Sequence, residues 1–326
     1  MKKNIIIFGA SGDTGKYVTE YLKEHCPEEE YDIIASGRRE TSFFQKLSVT
    51  YERVDITKKE QFERLPSSVY AVIDLAGLMP ARMKGYEPQR YIDVNITGTL
   101  NILEYCRKTG CDRILFAQSF GDIKDYAEQD ILLRPDMPPH FSYTTDHTVY
   151  IISKNAAVDL IENYHQMYGI KKFIFRLPTI YLWGESDKFY VDGVERKIAY
   201  RLLIERARRG ESLEIWGNPE RKKDMVYVKD FAQMLQLAIL ADVESGHYNV
   251  GTGVGTTLEE QIRGIAEVFN PQDNKSEIIY CPEKADAPQY IMDIQAAVEE
   301  LGYKPVFGYR EMLRDMKQEM LKRGVL

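Results

Sequence analysis

Tyr150 and Lys154 stand four residues apart in the stretch Tyr150-Ile151-Ile152-Ser153-Lys154. On a helix that spacing sets two side chains on one face, so a phenol and an ammonium reach into the same cleft. A free phenol titrates at about 10 and is a poor base at neutral pH, but a neighbouring cation favours the phenolate and brings it toward the working range. Ser119 follows the apolar run Arg113-Ile114-Leu115-Phe116-Ala117-Gln118, at the rim where a sheet presents side chains to ligand. Its hydroxyl can bind the same substrate oxygen, which gives a Ser/Tyr/Lys proton-transfer set. The competing reading is a surface tyrosine beside a solvated lysine, because Tyr-x-x-x-Lys is common by chance.

The elements that must position this set start at the amino terminus. Asn4-Ile5-Ile6-Ile7-Phe8 is an apolar strand that runs directly into Gly9-Ala10-Ser11-Gly12-Asp13-Thr14-Gly15, and the amphipathic Tyr17, Val18, Tyr21 and Leu22 follow. Glycines at G-x-x-G-x-x-G spacing remove the Cβ atoms that would keep a pyrophosphate away from backbone N–H groups, and the helix N-terminus faces the anion with its positive end. An ordinary tight βα turn would look similar; the flanking strand and helix, and a second strand ending about 20 residues on, favour a dinucleotide site. That second strand closes as Ala35-Ser36-Gly37-Arg38-Arg39, with no carboxylate where a ribose diol would be read. Arg38 and Arg39 suit a 2′-phosphate, so NADP is the expected cofactor and NAD the alternative. An arginine stacked on adenine or pointing to solvent is the competing role.

Strand-like and helix-like segments then alternate. Thr50–Val54, Val69–Ala76 and Lys172–Leu177 read as further strands, Tyr91–Arg107 and Tyr150–Tyr168 as helices. Repeated βα units predict an α/β fold, a doubly wound parallel (Rossmann) sheet with its ligands beyond the carboxyl ends of the strands. The alternation stops near Pro178. Residues 1–178 are expected to form the NAD(P)-binding domain, with segments around 225–252 returning to it, and 179–326 a smaller, mainly substrate-binding α/β lobe. In that lobe Val194–Arg209 reads as a charged helix whose Arg196, Lys197, Arg201, Arg206, Arg208 and Arg209 make a solvated face.

The 326 residues are 44% hydrophobic, enough for a sizeable core, and the net charge is −7. Nucleic acid is therefore not an expected partner. Cys26, Cys106, Cys111 and Cys281 lack C-x-x-C spacing, so reduced thiols are expected rather than a disulfide or a metal site. No apolar run reaches the roughly 18 residues of a membrane span, and the first run is too short for a signal segment, so no membrane partner and a cytoplasmic location are expected.

Taken with further segments, the chain resembles the extended short-chain dehydrogenase/reductases, the NAD(P)-dependent nucleotide-sugar epimerases, dehydratases and reductases. Besides the glycines and Tyr150/Lys154, Val94-Asn95-Ile96-Thr97-Gly98-Thr99 is similar to the family's V-N-x-x-G-T helix. Lys223-Asp224-Met225-Val226-Tyr227-Val228-Lys229-Asp230 resembles R-D-F-I-H-V-D-D, Tyr248-Asn249-Val250-Gly251-Thr252-Gly253 resembles Y-N-V-G-T-G, and Leu301-Gly302-Tyr303-Lys304-Pro305 resembles L-G-W-x-P.

The resemblance implies an epimerase or reductase that acts on a nucleotide-activated sugar by hydride transfer. Ser119, Tyr150 and Lys154 would be catalytic, and Asn95 would order a relay water or merely pack its helix. Cofactor contacts are implied for Gly9, Ser11, Gly12, Asp13, Thr14 and Gly15, for Arg38, Arg39, Asp55 and Ile56, and for Leu75, Ala76, Gly77 and Pro178, with Tyr150 and Lys154 reaching the same ligand. Ser119, Thr179 and Lys223 would meet the nucleotide-sugar substrate, and helices 91–107 and 150–168 would pair with their copies in a homodimer. Thr179 stands where an asparagine is usual and Lys223 where an arginine is, so a phosphate would be held as by a point charge rather than a planar fork. No Thr-Asp-Glu run is present, which disfavours a 4,6-dehydratase. His140 and His147 could line the sugar pocket or be plain loop residues. The alternative function is a non-catalytic dinucleotide-binding regulatory protein of the same fold.

Overall fold

The computed structural model describes residues 2–129, 131–191 and 194–325. Seven parallel strands form the central sheet: β1 (Lys3–Phe8), β2 (Tyr31–Gly37), β3 (Thr50–Arg53), β4 (Ala71–Asp74), β5 (Arg113–Ser119), β6 (Lys171–Leu177) and β7 (Ser245–Asn249). Their spatial order is β7-β6-β5-β4-β1-β2-β3. The order reverses between β1 and β4, which opens the crevice where a doubly wound sheet takes its ligand.

Side chains alternate across β1 as a two-residue period requires. Ile5 and Ile7 enter the apolar layer beneath α1 (Asp13–His25), whereas Ile6 and Phe8 enter the opposite layer, beneath α2 (Gly98–Thr109) and α3 (Thr148–Tyr168). All four are fully buried, each contributing about 1.5–3 kcal/mol of transfer free energy. The first layer also receives α5 (Val228–Leu240), which follows α4 (Ala199–Arg209) in the chain and delivers β7 to the sheet edge beside β6. A separate apolar cluster joins Tyr181, Trp183, Ile204 and Ile215 to α6 (Leu258–Phe269) and to Met312, Met316 and Met320 of the final long helix.

Two local expectations change. The helix expected over 91–107 is instead a short α-turn at Pro88–Tyr91, a π-helical turn at Ile92–Thr97, and then α2. The wider turn rotates Asn95 inward, where its side chain is bound by backbone and by Ser153. Val194–Lys197 is not helical but pairs antiparallel with Lys188–Val191, where Lys188 meets Glu195 at 2.7 Å, and the helix begins only at Ala199. Nor is the cationic face of that helix uniformly solvated. Arg201 is buried, 3.7 Å from the Trp183 ring centroid, and donates to the carbonyls of Gly184 and Ser186 at 2.7 and 3.2 Å.

Candidate active site

The glycine loop is a cradle in which side chains would not fit. Gly9 has φ +80°, and a Cβ there would lie 2.7 Å from Ala76 N and 2.8 Å from Leu75 O; at Gly15 it would lie 2.4 Å from Gly9 O. These approaches bring the β1–α1 turn onto the end of β4. Helix α1 has Gly12 as its N-cap and no capping side chain, which suits a pyrophosphate on its amide groups. The Ser11 hydroxyl packs on Gly37, so glycine is also needed at the end of β2. Thr14 is partly buried in the first turn of α1. Asp13 is already engaged: its carboxylate accepts from Glu185 N at 3.1 Å and pairs with Arg82 at 3.3 Å, while Lys16 pairs with Glu185. The 182–186 segment is thereby tied to α1, a contact the sequence did not suggest.

Arg38 and Arg39 lie exposed beyond β2. Arg53 donates to the Arg38 carbonyl at 3.2 Å and is also exposed, so three guanidinium groups gather at this edge. The Asp55 carboxylate turns into its own loop, accepting from Thr57 N at 3.0 Å and Thr57 Oγ1 at 2.8 Å. Ile56 is buried, and its carbonyl accepts from Asn101. Gly77 borders both Asn95 and Lys154: a Cβ there would sit 3.4 Å from Asn95 Oδ1 and 3.9 Å from Lys154 Nζ.

Tyr150 and Lys154 occupy the first two turns of α3, and Ser119 ends β5. Burial raises the Tyr150 phenol above its ordinary value and Asp122 adds to the rise, while the neighbouring Ser119 hydroxyl favours ionisation without offsetting the burial. Lys154 does not depress Tyr150 as expected. Its Nζ lies 3.8 Å from the Phe116 ring centroid, burial lowers it to about 8, and the charge that opposes the fall is Asp74. Helical spacing sets both stems on one face, yet the lysine's longer stem carries its charge down to the sheet.

Surrounding groups fix the set. Asn95 accepts from Leu78 N at 2.8 Å and donates to Ser153 Oγ at 2.9 Å. Gln118 donates to Asn155 at 2.7 Å and accepts from Ser119 N at 2.9 Å, which anchors the residue carrying the hydroxyl to α3. Asp122 and Arg176 form a buried pair with an N–O distance of 2.9 Å. Tyr91 packs on Tyr150 with ring centroids 5.9 Å apart.

On the open side, Pro178 is buried and Thr179 exposed just past β6. Lys223 is half-buried between two aromatic rings, its Nζ 5.5 Å from the Tyr181 centroid and 5.4 Å from that of Tyr290. The histidines have plain local partners: His140 packs on Tyr126, and His147 binds Asp146. Among the described residues no group of three or more His, Cys, Asp or Glu could hold a metal, and no helix is long and apolar enough to cross a membrane.

Sequence reasoning missed Asp74, Gln118 and the Asp122–Arg176 pair. A signal existed for Asp74, a lone carboxylate inside the apolar run 69–76, because a buried acid calls for a partner. The other two depend on contacts far apart in the chain.

The glycine cradle and the Ser/Tyr/Lys residues thus lie at the same edge of the sheet. The model of the NAD dependent epimerase/dehydratase family matches residues 5–251. The chain belongs to this family. GDP-L-fucose synthase of Sinorhizobium fredii is 25% identical to it, over 93% of this chain and 90% of that protein. The crystal structure of Thermotoga maritima UDP-glucose 4-epimerase with UDP-glucose superposes with a TM-score of 0.79 at 24% identity, covering 99% of this chain and 100% of that one. A Thermus thermophilus UDP-glucose 4-epimerase in complex with NAD gives 0.74 at 23%, covering 99% and 100%. As a member of the epimerase/dehydratase family the chain is an enzyme of the NAD-dependent epimerase and oxidoreductase class, on a Rossmann-type sheet. A synthase and epimerases share this architecture, so the family sets the fold and the cofactor chemistry but not the individual reaction.

Proposed function

We propose that the protein is an epimerase or reductase of a nucleotide-activated sugar, preferring NADP(H) over NAD(H), and that it works as a cytoplasmic homodimer. The observation that carries this reading is the Tyr150 phenol next to the Ser119 hydroxyl at the carboxyl edge of the sheet, with Lys154 beside Gly77. The dinucleotide supplies a site that accepts and returns hydride. Tyr150 takes the proton from the reacting sugar hydroxyl and gives it back, and Ser119 holds the same oxygen. Lys154 anchors the cofactor ribose next to Gly77. Thr179 and Lys223, the latter set between Tyr181 and Tyr290, face the substrate's diphosphate or sugar.

NADP(H) preference rests on Arg38, Arg39 and Arg53, all exposed past β2, and on the strand's ending as Ser36-Gly37 with no carboxylate at the ribose-reading position. The homodimer reading rests on α2 and α3, which leave Leu100, Ile152, Met167 and Tyr168 exposed. The four free cysteines accord with a reducing compartment. A 4,6-dehydratase needs an acid beside the tyrosine, and the nearby carboxylate, Asp122, is occupied by Arg176.

The experiment is mass spectrometry of the ligands retained by the purified protein, followed by turnover assays with the sugar nucleotide so identified. A bound NADP(H) and a sugar nucleotide that is epimerised or reduced support the reading. A bound dinucleotide with no turnover of any retained sugar nucleotide replaces it with the regulatory one.

A further inference from the structure

Asp74 is the last residue of β4, and it pairs in register with Phe8 of β1 and Phe116 of β5. Register partners in parallel strands point to the same face of the sheet. Phe8 and Phe116 are fully buried there, in the apolar layer that also receives α2 and α3, so the carboxyl group shares that dry layer and is itself fully buried. It accepts from Ala76 N at 3.0 Å and from Thr99 Oγ1 at 3.5 Å, which leaves most of its charge uncompensated by hydrogen bonds. Lys154 enters the same layer from α3. It is 6% exposed, and its Nζ rests over the Phe116 ring at 3.8 Å, beside Gly77. Two opposite charges thus occupy one apolar chamber without a direct ion pair. A low-dielectric surrounding makes such a separated interaction strong and the loss of either partner costly.

We propose that Asp74 is the positioning residue for Lys154: its carboxylate keeps the lysine charged in a dry layer and holds the ammonium at the β4 edge, where it meets the cofactor, rather than beside the Tyr150 phenol. The proposal rests on the reading of Lys154 as ribose anchor. The groups that face Asp74 are Lys154 from α3, Thr99 and the Cys106 thiol from α2, and the Ala76 amide; its register partners on β1 and β5 are the apolar Phe8 and Phe116. Burial pushes Asp74 up to about 6 and Lys154 down to about 8, and each holds the other back. Between these values both carry charge, which sets a window around neutral pH for tight cofactor binding.

The test is Asp74→Asn, which keeps the shape and an acceptor for Ala76 N. Lysine ε-carbon NMR on the full-length protein, with the Lys154 signal assigned by Lys154→Met, should show its titration midpoint lowered by about one unit or more. Cofactor affinity of Asp74→Asn should fall at least about fivefold more at pH 8.5 than at pH 6.5, because only at the higher pH is the unsupported lysine neutral. A purely structural role would weaken binding equally at both. An unchanged Lys154 midpoint, or an equal loss at both pH values, overturns the proposal. Should the variant not fold, the wild-type Lys154 signal must still shift as Asp74 titrates at about pH 6, and a flat response there overturns it as well. Lys154→Met that keeps full cofactor affinity refutes the ribose-anchor reading instead, so the two failures are distinguishable.

Discussion

Asn95 donates to Ser153 Oγ at 2.9 Å, and Ser153 in turn donates to the carbonyl of Tyr150 at 2.7 Å, so the π-helical turn before α2 is bonded to the turn of α3 that carries the phenol. The same Asn95 nitrogen also donates to Leu78 O, and its oxygen accepts from Leu78 N, just beyond Gly77. One buried side chain therefore sets the distance between the β4 edge and the Tyr150 helix. Asn95→Ala would strand the buried amide and carbonyl of Leu78, each worth about 1–3 kcal/mol when left unpaired, while Ser153 keeps its bond to the Tyr150 carbonyl. We expect a loss of about 2–4 kcal/mol in urea unfolding, and a larger proportional loss of turnover than of cofactor affinity. Wild-type turnover in the Asn95→Ala variant would remove the residue from the site.

Tyr150→Phe keeps the ring against Tyr91 and removes only the hydroxyl. Turnover should fall at least about 100-fold, the usual cost of a lost general base, with cofactor affinity little changed. Because burial raises the wild-type phenol, its base form gains population as pH rises, and kcat/KM for the oxidative direction should climb through and above neutrality. Near-normal activity of the variant on the identified substrate, or a flat profile from pH 6 to 9, contradicts the assigned role.

The cradle and the Ser/Tyr/Lys order were legible because both depend on short-range spacing: glycines that a strand and a helix must approach, and residues one helical turn apart. What spacing could not show is the direction of a long side chain. Lys154 shares a face with Tyr150, yet its charge lies over Phe116, a residue 38 positions earlier that only the β4–β5 pairing brings underneath. The 194–197 strand was equally hidden, because its charged residues fit an amphipathic helix as well as a hairpin. The cross-strand Lys188–Glu195 contact that favours the hairpin is visible only in three dimensions. Arg201 followed the same rule, since burial against Trp183 overrides a charged sequence context.

Assembly can be tested on α2 and α3. Leu100, Ile152, Met167 and Tyr168 are 37–63% exposed, an apolar set that a monomer would leave in water. Light scattering at micromolar concentration should give twice the chain mass, and Leu100→Glu should shift the protein toward monomer by placing a charge in the buried seam. A monomeric wild type refutes the dimer.

Cofactor choice follows from the arginines past β2. Charge-assisted hydrogen bonds to a 2′-phosphate are worth about 1.5–3 kcal/mol each, so NADPH should bind at least about tenfold more tightly than NADH. Arg38→Ala should remove most of that difference while leaving NADH affinity nearly unchanged. Equal affinities in titration calorimetry, or tightly retained NAD in the purified wild type, would overturn the preference.

His247 gives a stability prediction independent of the active site. It lies in the edge strand β7, its Nε2 buried without a hydrogen-bond partner, and burial together with Arg176 and Lys172 lowers its pKa to about 3. The folded protein keeps this imidazole neutral, while the unfolded chain protonates it below about 6.5. The unfolded state therefore binds the extra proton, and the His247 contribution to stability is present above pH 6.5 and is lost as pH falls toward 3. At full proton difference the loss is about 1.4 kcal/mol per pH unit, or roughly 2 kcal/mol between pH 6.5 and 5. Replacing His247 by Gln removes the titration, so the drop in unfolding free energy from pH 7 to pH 5, measured by urea titration, should be smaller in the variant than in the wild type by about that amount. Parallel pH dependences in the two proteins would show that the imidazole reaches solvent and protonates in the folded state.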